Sequence, residues 1–332
     1  SSLPRWGGCG AERLLTSQTG QLEEMVIQYA GVTGEVLPEI PKCCMVVACA
    51  DHGVYRQKVS AYPQSTTVGM VKSYVDVKGA SANALAHYCG AHMVVVDMGI
   101  NADMSDVPGL LHRKIAFGTK DITEGVAMSR AEAIHAIEAG IEIAENKIKE
   151  GYRVFTVGEM GIANTTASAC ILGAFNRWNA VEVTGRGTNI SDARLLHKIE
   201  MVQKALDVNQ PDPADGLDVL SKVGGFEFGC MTGVMLGAAA NRCLTIIDGF
   251  NSTASAFIAK ALSEESVQYL MASHLSLEQA HRKSLKAIGL TEYIDLDIRL
   301  GEAVGASIQK KILDMAIAVY KDGADKRTGV AE

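Results

Sequence analysis

Four short runs of uninterrupted apolar residues constrain this chain more than any other feature. Cys43-Cys44-Met45-Val46-Val47-Ala48-Cys49 stops at Asp51-His52-Gly53, and Met93-Val94-Val95-Val96 stops at Asp97-Met98-Gly99. Val154-Phe155-Thr156-Val157 stops at Gly158-Glu159-Met160-Gly161, and Cys243-Leu244-Thr245-Ile246-Ile247 at Asp248-Gly249-Phe250. A continuous apolar run, rather than an alternating one, suits a strand buried on both faces. Segments of helical spacing lie before and between the runs, over 22–29, 131–149, 192–206 and 227–240. The alternation predicts an α/β fold of βαβ units around a mostly parallel sheet. At 332 residues the chain is one large domain or two, with core enough to need no disulfide or metal staple.

Right-handed crossovers put the C-terminal ends of all such strands on one side of the sheet, where ligands of these folds bind. The four stops then converge on one rim. Asp and Gly after a strand are ordinary turn residues. Glu159 is the exception, because Glu is a poor turn former. It opens Gly158-Glu159-Met160-Gly161-Ile162-Ala163-Asn164-Thr165-Thr166-Ala167, a glycine loop running into a helix that Asn164, Thr165 or Thr166 could cap. Free N–H groups at a helix start suit a phosphate. The loop is not a P-loop, since Gly-Lys-Ser/Thr is missing, and it lacks the third glycine of the dinucleotide fingerprint. That absence also argues against a nicotinamide-dependent oxidoreductase.

Three other segments carry candidates. Gly185-Arg186-Gly187-Thr188 is a second glycine-bracketed loop, with Ser191 and Asp192 as caps and Lys198 about two turns into the next helix. Gly118-Thr119-Lys120-Asp121 is a loop of similar character. Ser273-His274-Leu275-Ser276-Leu277-Glu278-Gln279-Ala280-His281 places two histidines seven residues apart. On one helix they would suggest a metal; a strand-to-helix turn with Ser276 as N-cap fits better, and no metal is expected. Near the C-terminus, Leu300-Gly301-Glu302-Ala303-Val304-Gly305-Ala306 opens an apolar helix over 308–320. Glu302 is then either a first-turn carboxylate favoured by the helix dipole or a general base tuned by burial.

Composition narrows the class. A net charge of -7 and 5% aromatics argue against a nucleic-acid surface. No apolar stretch reaches the roughly 18–20 residues of a membrane span. The cysteines lack zinc-site spacing and read as buried free thiols. Ser1-Ser2-Leu3-Pro4 opens no signal-peptide core, so a cytoplasmic protein is expected.

Taken together, the chain resembles the nicotinate-nucleotide:dimethylbenzimidazole phosphoribosyltransferases of cobamide biosynthesis. The resemblance rests on Ala50-Asp51-His52-Gly53-Val54, Val59-Ser60-Ala61-Tyr62-Pro63, Gly158 to Thr166, Gly185-Arg186-Gly187-Thr188, Gly224-Gly225-Phe226-Glu227, Asp248-Gly249-Phe250 and Arg299-Leu300-Gly301-Glu302. These segments follow the family's order from about Thr16 to the C-terminus. The resemblance implies a Rossmann-like parallel sheet in a large domain over 36–300 and a small helical domain from 1–35 plus 301–332. It implies a dimer whose active sites are each completed by the partner. It implies transfer of phosphoribose from nicotinate mononucleotide to an aromatic lower-ligand base, giving an α-linked ribotide and nicotinate, without a cofactor. By the same resemblance Glu302 is the catalytic base and Glu159 the second active-site glutamate. Gly161, Ile162, Asn164, Thr165, Gly187, Lys198 and Ser276 fall at the nucleotide phosphate, and Ser60, Met160 and Leu300 near the base pocket.

Departures cluster on the acceptor side. The family usually has Gln before Met70, a residue facing the base, where this chain has Gly69. A missing amide there opens the way to another acceptor, such as a phenol. The family's Lys-Pro-rich entry becomes Leu15-Thr16-Ser17-Gln18-Thr19-Gly20-Gln21-Leu22, and Asn189 stands where Gly is common. The altered entry also admits a different class of role, a non-catalytic subunit in a heterodimer of two homologues.

Overall fold

The computed structural model describes residues 19–188 and 190–328. The altered entry from Leu15 to Gln18 and Asn189 lie outside the described residues. In chain order the elements are α1 (Gln21–Thr33), β1 (Cys43–Ala50), α2 (Ser65–Lys72), α3 (Ser81–Cys89), β2 (His92–Gly99), β3 (Leu110–His112), α4 (Arg130–Lys149) and β4 (Val154–Met160). There follow α5 (Asn164–Asn176), α6 (Ala180–Val183), α7 (Asp192–Asn209), α8 (Gly216–Val223), α9 (Phe226–Ala240) and β5 (Leu244–Ile247). The chain closes with α10 (Phe250–Leu262), β6 (Leu270–Met271), α11 (His281–Ile288) and α12 (Val304–Thr328).

The sheet is parallel throughout, with strand order β3-β2-β1-β4-β5-β6, the Rossmann-like arrangement. The four apolar runs are its four inner strands. The edge strands β3 and β6, of three and two residues, are too short to leave a sequence pattern. Every residue of β1 is buried. Its side chains alternate between two cores, as strand geometry demands. Cys44, Val46, Ala48 and Ala50 join the core beneath α4, α5, α9 and α10, whereas Cys43, Met45, Val47 and Cys49 join the core beneath α1 and α12. The cysteines are therefore core side chains, and burial pushes the Cys43 thiol up to about 12.

The first of these cores requires α4 and α9 to cross closely. A methyl group on Gly233 would stand 2.0 Å from the Ile137 carbonyl oxygen, and one on Gly140 2.0 Å from that of Cys230. This contact explains the small residues of the 227–240 segment. In the second core the chain's two end helices meet: Met25, Val26 and Tyr29 of α1 share a cluster with Leu313, Ile317 and Tyr320 of α12. Helix α12 begins four residues earlier than the apolar spacing suggests, because its small first-turn residues carry no pattern. Among the described residues, no helix is long and apolar enough to cross a membrane.

Candidate active site

The order of the strands reverses between β1 and β4, and a cavity of about 530 Å³ opens beside the C-terminal end of β4. Glu159, Gly161, Ile162, Asn164, Thr165, Gly187, Ser276, Ser60, Met160, Leu300 and Glu302 all line it. Gly69 and Lys198 are not part of the lining. Gly69 stands in α2 between residues that reach the wall, and a side chain there would meet nothing within 4 Å. A wider groove of about 710 Å³ between α6 and α7 lies elsewhere and gathers no comparable set of buried polar groups.

Glu159 ends β4 and is buried. One carboxylate oxygen accepts the Asn251 amide at 2.9 Å, and the other accepts the Asn164 amide. The second Asn251 N–H reaches the Asn164 carbonyl oxygen at 3.1 Å, while Ser168 Oγ donates to the Asn251 carbonyl oxygen at 2.5 Å. Every donor of Asn251 is thus used, and the pair of amides locks the carboxylate. Burial raises the Glu159 pKa to about 7; the Asn251 and Asn164 hydrogen bonds oppose the rise, and the charges of Glu227 and Glu302 add to it.

Glu302 is built differently. It sits before the first turn of α12 rather than in it, with φ of 68°. Ala303 follows with φ of 61°, so two successive non-glycine residues adopt left-handed backbone, which costs on the order of 1–3 kcal/mol each. The turn lies directly on β4: a methyl group on Gly158 would be 2.1 Å from the Ala303 nitrogen. Only glycine at 158 lets the turn bring Glu302 against Glu159. The Glu302 side chain is buried and burial raises its pKa, with the Tyr74 hydroxyl opposing the rise. The buried Tyr74 hydroxyl faces it without a hydrogen bond of regular geometry.

The opposite end of the cavity suits an anion. Helix α5 starts there, but its N-cap is Ala163, in left-handed backbone and without a side-chain bond. None of Asn164, Thr165 and Thr166 caps it; Asn164 is the first helical residue and turns to Glu159 instead. Lys198 is buried behind the wall, donating to Thr165 Oγ1 at 2.9 Å and to the Gly185 carbonyl at 3.0 Å. Burial lowers its pKa to about 8, and Glu278 counters that shift. Glu278 Oε1 accepts the Gly187 N–H at 2.7 Å, and Gln279 holds the Val181 and Thr184 carbonyls, so this pair clamps the Gly185–Gly187 loop. Ser191 caps α7 as the sequence suggests.

Ser276 is not an N-cap. Helix α11 starts at His281, with Ala280 in the cap position, and Ser276 Oγ accepts the Glu278 N–H in a turn five residues earlier. The two histidines share no helix face, although their rings come within 6.2 Å. Ser276 N–H donates to His281 Nδ1 at 2.8 Å. Thr253, whose hydroxyl donates to the Gly249 carbonyl, must then accept from Nε2 at 3.0 Å. His281 is a neutral core histidine, its pKa pushed down to about 3 by burial and by His274. Among the described residues no group of three or more His, Cys, Asp or Glu side chains could hold a metal ion.

The remaining strand-end acids divide. Asp51 accepts from Thr67 Oγ1 at 2.7 Å and the Asn101 N–H at 2.8 Å, and Asp97 accepts the Ile100 N–H at 3.0 Å and pairs with Lys114. Both shape the rim. Asp248 lines the cavity, and burial raises its pKa to about 7. His52 contacts Glu227 in a buried pair beneath the glycine loop. Sequence reasoning missed Asn251, Tyr74 and Glu278. Asn251 carried a faint signal, as a polar residue just after the Asp248-Gly249-Phe250 stop.

A parallel sheet, a rim cavity at the switch point, two buried carboxylates and an uncapped helix start are parts that a phosphoribosyl-transferring enzyme can use. The Phosphoribosyltransferase family model matches residues 15–330. A nicotinate-nucleotide–dimethylbenzimidazole phosphoribosyltransferase of Chloroflexus aggregans is 45% identical over 94% of this chain and 89% of its own length. Its counterpart of the same name in Geotalea uraniireducens is 44% identical over the same shares. The crystal structure of CobT from Thermus thermophilus superposes with a TM-score of 0.90 at 35% identity, covering 96% of each chain. The chain belongs to the nicotinate-nucleotide–dimethylbenzimidazole phosphoribosyltransferase family, a family of pentosyl-transferring enzymes.

Proposed function

We propose that this chain transfers phosphoribose from nicotinate mononucleotide to an aromatic lower-ligand base, with Glu302 as general base. The observation that carries the assignment is the contrast between the two buried carboxylates of one cavity. Both Glu159 oxygens are engaged by amides, whereas Glu302 has no amide clamp and faces the Tyr74 hydroxyl without regular hydrogen-bond geometry. A base must keep a lone pair for the proton it removes. In the reaction the bond from the ribose anomeric carbon to the pyridinium nitrogen breaks, and nicotinate leaves neutral at that nitrogen without needing an acid. An acceptor nitrogen or phenol oxygen bonds to the same carbon from the opposite face, converting β to α. Its proton passes to Glu302. Glu159, already locked, stabilises positive charge on the ribosyl carbon, as preorganised carboxylates do.

The start of α5 with Gly161, Ile162, Asn164 and Thr165, together with Gly187 and Ser276, would receive the phosphate, and Lys198 would act on it from behind Thr165. Ser60, Met160 and Leu300 would contact the acceptor. The open space at Gly69 supports a phenol beside benzimidazoles as acceptor. We keep two further expectations within this proposal. One is the division into 36–300 and 1–35 plus 301–332, supported by the pairing of α1 with α12. The other is a dimer, of two copies or with a homologous subunit, toward which exposed Tyr88 on α3 and Met315 and Val319 on α12 offer apolar side chains. A silent-subunit role is not favoured by a cavity that contains both glutamates. The test is to incubate the purified chain with nicotinate mononucleotide and, separately, dimethylbenzimidazole and phenol. An α-ribotide from either acceptor is expected; no product from the chain alone would contradict the proposal, and exclusive use of dimethylbenzimidazole would remove the phenol.

A further inference from the structure

The turn that carries Glu302 leads into a helix with no cap of its own. Ala303 occupies the N-cap position of α12: its carbonyl accepts the Ser307 N–H at 3.0 Å, and its methyl group can accept nothing. A helix start leaves its first N–H groups without intrahelical partners, and an N-cap side chain ordinarily receives one of them. Here the acceptor comes from a different element. Asp248, the residue after β5, takes the Ala306 N–H on Oδ1 at 3.0 Å in a fully buried bond. The N–H groups of Gly305 and Ala303 face the same carboxylate. Asp248 is fixed in turn, since Ser273 Oγ donates to its carbonyl at 3.1 Å and His274 Nδ1 lies 3.7 Å from Oδ1. The helix start is pressed against this group, because a methyl on Gly305 would stand 1.8 Å from His274 Nδ1.

Two features make this contact matter for chemistry. Glu302 and Ala303 hold left-handed backbone that an unsupported chain would leave. The Glu302 carboxylate meets the Tyr74 hydroxyl without regular hydrogen-bond geometry, so its place depends strongly on the backbone. We propose that Asp248 is a positioning residue that caps α12 from the end of β5 and thereby holds the Glu302 turn in its reactive place. The inference rests on the reading of Glu302 as base and extends it: the base is oriented through its backbone by an acid from a neighbouring strand end, beside the Tyr74 hydroxyl that faces its carboxylate.

The experiment is a double-mutant comparison. Asp248→Ala and Asp248→Asn are made in the natural chain and in Glu302→Gln, and steady-state rates with nicotinate mononucleotide and the preferred acceptor are measured for each. In the natural background Asp248→Ala is expected to lower kcat about 10–100-fold, with KM for nicotinate mononucleotide within about threefold. Asp248→Asn, which retains a weaker neutral acceptor, should lose about 3–10-fold. In the Glu302→Gln background neither should reduce kcat further by more than about twofold, because the group they position is gone. Amide exchange of Ala306 gives an independent reading, expected to quicken from parent to Asn to Ala. An equal loss in both backgrounds, an unchanged kcat, or unchanged Ala306 exchange overturns the proposal. If the Ala variant fails to fold, the Asn variant decides by the same criteria. Glu302→Gln turning over at the parent rate would strike the base reading instead, and Ala306 exchange would still judge the cap.

Discussion

Glu159 stands at the end of a central strand and Glu302 on a left-handed turn ahead of a helix, and the two regions treat a buried carboxylate in opposite ways. At the strand end, Asn164, Asn251 and Ser168 supply a closed set of hydrogen bonds that engages both carboxylate oxygens. At the turn the carboxylate has no such clamp, only the Tyr74 hydroxyl facing it, and the order is put into the backbone, by Gly158 beneath it and Asp248 beside it. A charged group that must stay put is best solvated by fixed dipoles; a group that must accept a proton is best left with a lone pair free of donors. Burial raises the pKa of both, so the difference between them is one of hydrogen bonding rather than of dielectric.

The largest effect expected from breaking this comparison is on Glu302. Glu302→Gln keeps the shape but cannot take a proton, and kcat should fall about 10²–10⁴-fold with nicotinate mononucleotide binding retained, read by steady-state kinetics and calorimetry. A rate near that of the parent would end its role as base. Glu159→Gln should cost less, about tenfold in kcat, since the amide still fills the locked position.

Glu159 also carries a signature in stability. The folded chain holds the Glu159 proton up to about pH 7, whereas the unfolded chain releases it in the ordinary carboxylate range. Between those limits the folded state binds more protons, so the burial of Glu159 costs progressively more stability as pH rises. The Tm of Glu159→Gln minus that of the parent should therefore increase from about pH 5 to about pH 8; a difference that falls or stays flat would refute the raised pKa.

Two smaller effects test the ends of the cavity. Lys198→Met should raise KM for nicotinate mononucleotide about tenfold with kcat within about threefold, since the proposal has the buried ammonium act on the bound anion and not on the reacting bond. A loss confined to kcat would remove Lys198 from the phosphate end. Gly69→Gln has room, since nothing lies within 4 Å of the added carbon, and Tm should hardly move. It should shift acceptor preference toward benzimidazole over phenol by a few-fold, about 1 kcal/mol, in competition assays. An unchanged ratio would take Gly69 out of acceptor choice.

The inner architecture was legible in the chain because it depends on composition. A run such as Cys43–Cys49 admits hardly any other solution than a strand covered on both faces. Edge strands β3 and β6 escaped because a two- or three-residue strand has no periodicity. At the site, Glu159 stood out as an acid where turn formers belong, and Glu302 through the segments shared with known relatives. Side-chain direction was not legible. Asn164 read as a helix cap, and Ser276 as another, because residue type sets the capacity to cap while the approach angle of the chain sets its use. Asn251 and Asp248 act on residues 92 and 58 positions away in the chain, and no local pattern encodes such a pairing.

The most direct test of the division of labour is a crystal structure with nicotinate mononucleotide and an acceptor bound together. The account predicts the acceptor's proton-bearing nitrogen or oxygen within about 2.6–3.2 Å of the Glu302 carboxylate, with Glu159 still held by Asn164 and Asn251. An acceptor seated against Glu159, with its amides released and Glu302 turned away, would contradict it.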